Sequence, residues 1–95
     1  MSNFQNYKTR NAKERLLAKS FLKLKTEQEV ANFLRDLLTI KEIEEFANRL
    51  EIARLLKKGW SYKKIAKETK TSTTTVTRVA HWLFRGAGGY QKVLK

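Results

Sequence analysis

The 95-residue chain carries 21 Lys and Arg against 9 Asp and Glu, a formal charge of +12 with a pI near 10.2, which favours a polyanionic partner. Cysteine is absent and His81 is the only histidine, excluding disulfides, a thiolate nucleophile and multi-cysteine or multi-histidine metal sites. The polar start Met1-Ser2-Asn3-Phe4-Gln5 lacks a signal-peptide core and no apolar run approaches membrane-spanning length, so a soluble, cytoplasmic protein that makes no membrane contact is expected.

Residues 1–12 are polar and read as a flexible N-terminal arm. Residues 13–95 read as one small all-α domain: helices over 13–58, a reading head over 61–85, and a C-terminal tail or helix over 86–95. Proline is absent and the glycines stand at Gly59, Gly86, Gly88 and Gly89, where helices stop. A first helix is predicted from Lys13 to Leu24, with Leu17, Phe21 and Leu24 on one face. Thr26 followed by Glu29 has the form of a capping box and opens a second helix to about Leu38, striped by Val30, Phe33, Leu34 and Leu37. Thr39 and Glu42 repeat that signal and start a longer third helix, which ends at Lys57-Lys58-Gly59.

Beyond Gly59 the pattern is that of a helix-turn-helix. Ser61 is a suitable N-cap for a short helix from Tyr62 to Thr69, followed by a turn over Lys70 to Ser72 and a second helix from Thr73. Ile65 and Ala66 face inward from the first, and Val76, Val79 and Leu83 from the second, at i, i+3 and i+7. Lys70 falls where such turns favour glycine for its positive φ, at a cost of about 1 kcal/mol. The run Thr71-Ser-Thr-Thr-Thr-Val-Thr77 has the β-branched composition of a strand. Helical neighbours and the lack of a partner strand override that local preference.

The exposed side of the second motif helix carries Ser72, Thr73, Thr74, Thr77 and Arg78, groups able to meet base edges and phosphates in a major groove. Lys63, Lys64, Lys67 and Lys70 are assigned to phosphate contacts. Charge placement agrees, since residues 54–85 hold nine basic residues against the lone acid Glu68. His81 is assigned to solvent or phosphate. A sequence-specific duplex-DNA-binding transcriptional regulator, a repressor by preference, is the leading reading. The alternative is a nucleic-acid binder without sequence choice, nucleoid-like or RNA-binding. No catalytic constellation can be assembled, so an enzyme is not expected.

Phe21, Leu24, Phe33, Leu34, Leu37, Leu38, Ile40, Ile43, Phe46, Leu50, Ile52 and Leu55 make apolar faces broader than the small motif can cover. A helix apolar on more than one side is buried from more than one side, which predicts a homodimer whose first three helices interlock.

From Leu37 to about Gly89 the chain resembles the tryptophan repressor superfamily, within it the small bacterial YerC/YecD-like branch. The residues carrying this are Leu37-Leu38-Thr39, the helix Glu44-Glu45-Phe46-Ala47-Asn48-Arg49-Leu50-Glu51-Ile52-Ala53, Gly59-Trp60-Ser61-Tyr62, Thr75-Val76-Thr77-Arg78 and Gly86-Ala87-Gly88-Gly89-Tyr90-Gln91. The resemblance implies an intertwined all-α dimer with sequence-specific DNA binding, docked as the tryptophan repressor docks. It also implies a ligand question. In the repressor two arginines and a leucine-threonine segment of the partner chain hold tryptophan, and Leu38, Thr39, Arg49 and Arg78 stand at the matching positions. Val79 replaces a glycine beneath the ligand ring, and Trp82 replaces a small serine and is placed to fill the space itself. Tryptophan corepression, or any other cofactor, is therefore not expected. Arg49 and Arg78 are assigned instead to acids such as Glu45 or to phosphate, and the identity of any other small effector stays open.

Overall fold

The computed structural model describes residues 4–95, so the part of the N-terminal arm at residues 1–3 lies outside it. Among the described residues there are six helices and no strand: α1 (Ala12–Phe21), α2 (Glu27–Leu37), α3 (Ile40–Lys57), α4 (Tyr62–Thr69), α5 (Thr73–Arg85) and α6 (Gly89–Val93). They fall into two compact units that divide at Glu44/Glu45, inside α3.

In the unit Tyr7–Glu44, helix starts are written in side chains. Asn11 accepts the Glu14 N–H at 3.0 Å, while the Glu14 carboxylate takes the Arg10 N–H at 3.1 Å. Thr26 accepts the Glu29 N–H at 3.1 Å and Glu29 takes that of Lys25 at 2.8 Å. Thr39 and Glu42 exchange both bonds, at 3.1 and 2.9 Å, as a full capping box. Helix α1 ends three residues before the predicted Leu24. The N–H groups of Leu22, Lys23 and Leu24 turn to carbonyls three residues back, a tightened closing turn. No residue of α1 or α2 is buried, and Leu16 and Leu22 are 68% and 82% exposed. The Phe21 and Phe33 rings meet edge to face at 5.2 Å.

The second unit, residues 4–6 and 45–95, holds the core. Ile52, Ala53, Leu55 and Leu56 of α3, Ile65 and Ala66 of α4, and Val76, Val79, Ala80 and Leu83 of α5 form one buried cluster, flanked by Trp60, Tyr90 and Leu94. Full burial of such aliphatic side chains stabilises by about 1.5–3 kcal/mol each. Ile65→Ala or Leu83→Ala, at fully buried positions, would cost about 2–5 kcal/mol. Gly59 (φ 85) ends α3: its N–H returns to Leu56 and that of Trp60 to Leu55, at 3.0 and 3.2 Å. At the far end, the Gln91 amide donates to the Leu83 carbonyl at 3.1 Å and the Lys57 ammonium to that of Leu94 at 3.2 Å. The residues predicted as a tail or helix thus close over the core, with α6 within them. Part of the predicted loose arm is bonded as well: the Gln5 N–H donates to the Gly86 carbonyl at 3.2 Å, and the Phe4 ring lies over Gly88.

Candidate nucleic-acid interface

Ser61 caps α4 by accepting the Lys64 N–H at 3.2 Å, and Ser72 caps α5 by accepting that of Thr75 at 3.1 Å. Between them Lys70 adopts the left-handed conformation (φ 56, ψ 43), and the Thr71 N–H closes onto the Ala66 carbonyl at 2.9 Å. The turn position reads as predicted, with a lysine bearing the strain that glycine would avoid. Thr69 and Thr71 join hydroxyls at 2.9 Å, and the Thr69 hydroxyl donates to the Ile65 carbonyl at 2.7 Å. Of the β-branched run that suggested a strand, Thr71 thus serves the turn and Thr77 bonds back to the Thr73 carbonyl of its own helix.

Lys63, Lys64, Lys67, Lys70, Ser72, Thr73, Thr74, Thr77 and Arg78 are all exposed. Their roles separate on inspection. The Ser72 hydroxyl is held by its cap bond and by the Thr75 hydroxyl at 3.1 Å, which makes it a helix start before it is a contact. Thr77 donates its hydroxyl to the Thr73 carbonyl, leaving lone pairs and a methyl group outward. Farther along α5, His81 and Arg85 join Thr77 in a recess of about 260 Å³ walled by Tyr62, Ala80 and Phe84. Arg85 was given no role from the sequence, and the structure sets it beside Thr77 and His81. The i, i+4, i+8 spacing of Thr77, His81 and Arg85 was the available signal. His81 is exposed, as assigned, with its ring edge to face with Trp82 at 5.2 Å.

A second concavity of about 870 Å³ opens between α3, α5 and α6. Arg49 and Arg78 both line it, so the structure brings that predicted pair together. Leu38 and Thr39 belong to the other compact unit. The expected pairing of Arg49 with Glu45 does not form. Among the described residues the ion pairs are Arg10–Glu14 and Arg54–Glu51, and the Arg49 guanidinium instead lies 5.4 Å from the centre of the Phe46 ring. An aromatic ring one turn back competes well for a planar cation at an exposed site, where an ion pair contributes little. Trp82 does not fill the space either: its indole is 60% exposed and forms a wall of the cleft beside Val79, Tyr90 and Val93.

A capped helix pair on one apolar core, with a polar outward face on its second helix, defines a helix-turn-helix protein of the DNA-binding transcription-regulator class. The chain belongs to the Trp repressor family, whose model, described as Trp repressor protein, matches residues 12–95. It is 45% identical over 78 residues to the uncharacterized protein YerC of Bacillus subtilis (strain 168), covering 82% of this chain and 75% of that one. The crystal structure of a TrpR-like protein from Eubacterium eligens is similar with a TM-score of 0.80 and 34% identity, over 88% of this chain and 87% of that one. A further solved structure, from Staphylococcus aureus, matches with the same score and identity over 90% and 85%. Among the described residues, no helix is long and apolar enough to cross a membrane.

Proposed function

We propose that this protein is a sequence-specific transcriptional regulator, a repressor in the sense of its family, that binds duplex DNA as a homodimer through α4 and α5. The observation that carries the reading is the outward stripe Thr73, Thr74 and Thr77 on a helix anchored by Val76, Val79 and Leu83 and flanked by four exposed lysines. Threonines on a rigid helix supply short donors, acceptors and methyl groups at major-groove depth, and lysines supply sequence-independent grip. The dimer is supported by α1 and α2, which bury nothing in a single chain while exposing Leu16, Leu17, Phe21, Leu22 and Leu37. So many exposed large apolar side chains on two short helices call for a cover, and a second copy covers them with the two-fold symmetry that places two reading helices one helical turn of DNA apart.

Selection of bound sequences from a random duplex pool tests this. A palindromic winner that survives excess random competitor supports both specificity and two-fold symmetry. Enrichment of nothing, with binding lost to competitor, supports the sequence-independent alternative instead.

A further inference from the structure

Lys64 differs from the other lysines of the proposed gripping face. Its ammonium lies 4.0 Å from the centre of the Trp60 ring, whereas among the described residues the ammonium groups of Lys63, Lys67 and Lys70 meet no aromatic ring or acidic partner. A cation over an indole face is attracted by the ring quadrupole, and tryptophan provides the strongest such face.

The platform is rigid from both sides. Trp60 follows Gly59 at its positive φ, its N–H is bound to the Leu55 carbonyl, and its indole packs against the buried cluster. The Lys64 backbone is fixed by the bond from its N–H to the Ser61 hydroxyl. Ring and ammonium therefore meet across a helix start, four residues apart in sequence, on two fixed stretches of backbone.

The geometry points to Trp60 as a positioning residue for DNA binding, its indole holding the Lys64 ammonium where a backbone phosphate meets it. The inference rests on the duplex-binding function proposed above. An ammonium has three donors, and a ring on one side leaves the others for phosphate oxygens. A free lysine loses its rotamer freedom when it meets DNA, whereas Lys64 has lost much of it on folding, so less is lost on binding. Lys63, Lys67 and Lys70 have no such advantage and act as mobile point charges.

A substitution cycle in the full chain tests this with Trp60→Leu, Trp60→Phe, Lys64→Ala and the Trp60→Leu/Lys64→Ala pair, each titrated with a duplex that the unsubstituted protein binds. Trp60→Leu is expected to weaken binding by about three- to ten-fold, and Trp60→Phe, which keeps a π face, by less. In the Lys64→Ala background the Trp60→Leu change should cost nothing further. Ring-current shifts on the Lys64 ε-methylene protons should be present in the unsubstituted protein and absent in Trp60→Leu. An equal loss with and without Lys64 would reduce Trp60 to packing and overturn the inference, as would no loss at all. Should the leucine variant unfold, Trp60→Phe carries the same cycle with a smaller loss, again confined to the Lys64 background. Failure of the unsubstituted protein to bind any duplex overturns the DNA-binding function itself and is read before any variant.

Discussion

The Thr77 hydroxyl donates to the carbonyl of Thr73 at 2.9 Å, one turn back along α5. Its donor is committed to the helix, so toward DNA it offers a methyl group and lone pairs. Thr74 has no such intrahelical bond among the described residues and keeps both donor and acceptor. Thr74→Val should accordingly cost about 1–3 kcal/mol on the preferred site and shift base preference. Thr77→Val, which keeps the outward methyl, should cost distinctly less. Titrations on the selected site and on single-base variants decide it, and a larger effect at Thr77 would reverse the assignment.

A second expectation joins stability and grip at one residue. Lys70 sits in the left-handed region, so Lys70→Gly should relieve about 1 kcal/mol and raise the melting temperature by roughly 4–8 °C. The same change removes a cation from the proposed phosphate face. It should weaken all duplexes alike and lower the slope of log affinity against log salt by about one unit, as should Lys63→Ala and Lys67→Ala. A variant that became more stable without losing salt sensitivity would place Lys70 off the DNA.

Assembly is tested by mass. Sedimentation at low micromolar concentration should give twice the 11.1 kDa chain mass. Leu16→Glu, on the face that α1 leaves uncovered, should shift the equilibrium toward monomer and loosen the fold. A well-folded monomer of the unsubstituted chain contradicts the dimer and the half-site spacing that follows from it.

Helix boundaries were legible in the sequence because they are local chemistry. Thr26/Glu29, Thr39/Glu42, Ser61 and Gly59 mark their ends where the structure has them. The inward set Val76, Val79 and Leu83 followed from periodicity, and Ile65 and Ala66 from the helix-turn-helix pattern. Other features depend on competition between neighbours. Spacing permitted Arg49 to reach Glu45, but it cannot weigh a carboxylate against the Phe46 ring. Asn11, within the residues read as polar and loose, caps α1 together with Glu14 of the predicted helix. The seating of Gln5 on Gly86 is a contact between chain ends far apart in sequence, on which no period reports.

The capping carboxylates give an acid limit. A backbone N–H from Thr39, then the Thr39 hydroxyl, holds Glu42 below the usual carboxylate range. The Arg10 side chain, joined by Tyr7 and the Arg10 N–H, does the same for Glu14, and the Arg54 guanidinium for Glu51. A carboxylate depressed in the folded state stabilises above its unfolded value of about 4.3 and loses that contribution as pH falls through the folded value. Melting temperature should thus hold from neutral pH to about 5 and decline below about 4. Glu42→Ala should lower the neutral-pH plateau and shrink the acid decline, as followed by circular dichroism. A decline unchanged in that variant would remove the cap from the account.

The last expectation is that free tryptophan does not switch DNA binding. Arg49 and Arg78 line the cleft together, so charge alone favours a carboxylate there. The shape does not suit a flat ring. Val79 puts an isopropyl group, 5% exposed, into the floor, and Trp82 raises an indole along the wall. With Trp82 standing aside as a wall, the obstacle is the branched floor at Val79. A branched group standing where a flat ring would lie costs about 1–3 kcal/mol, which weakens binding by roughly an order of magnitude. Calorimetry with millimolar tryptophan should therefore show no saturable heat, and operator titrations should be unchanged by it. Trp82→Ser, a change at an exposed position that spares the core, should leave DNA binding intact and still give no response while Val79 remains. Saturable heat together with tighter operator binding in the unsubstituted protein would show that the two arginines outweigh the shape of the floor.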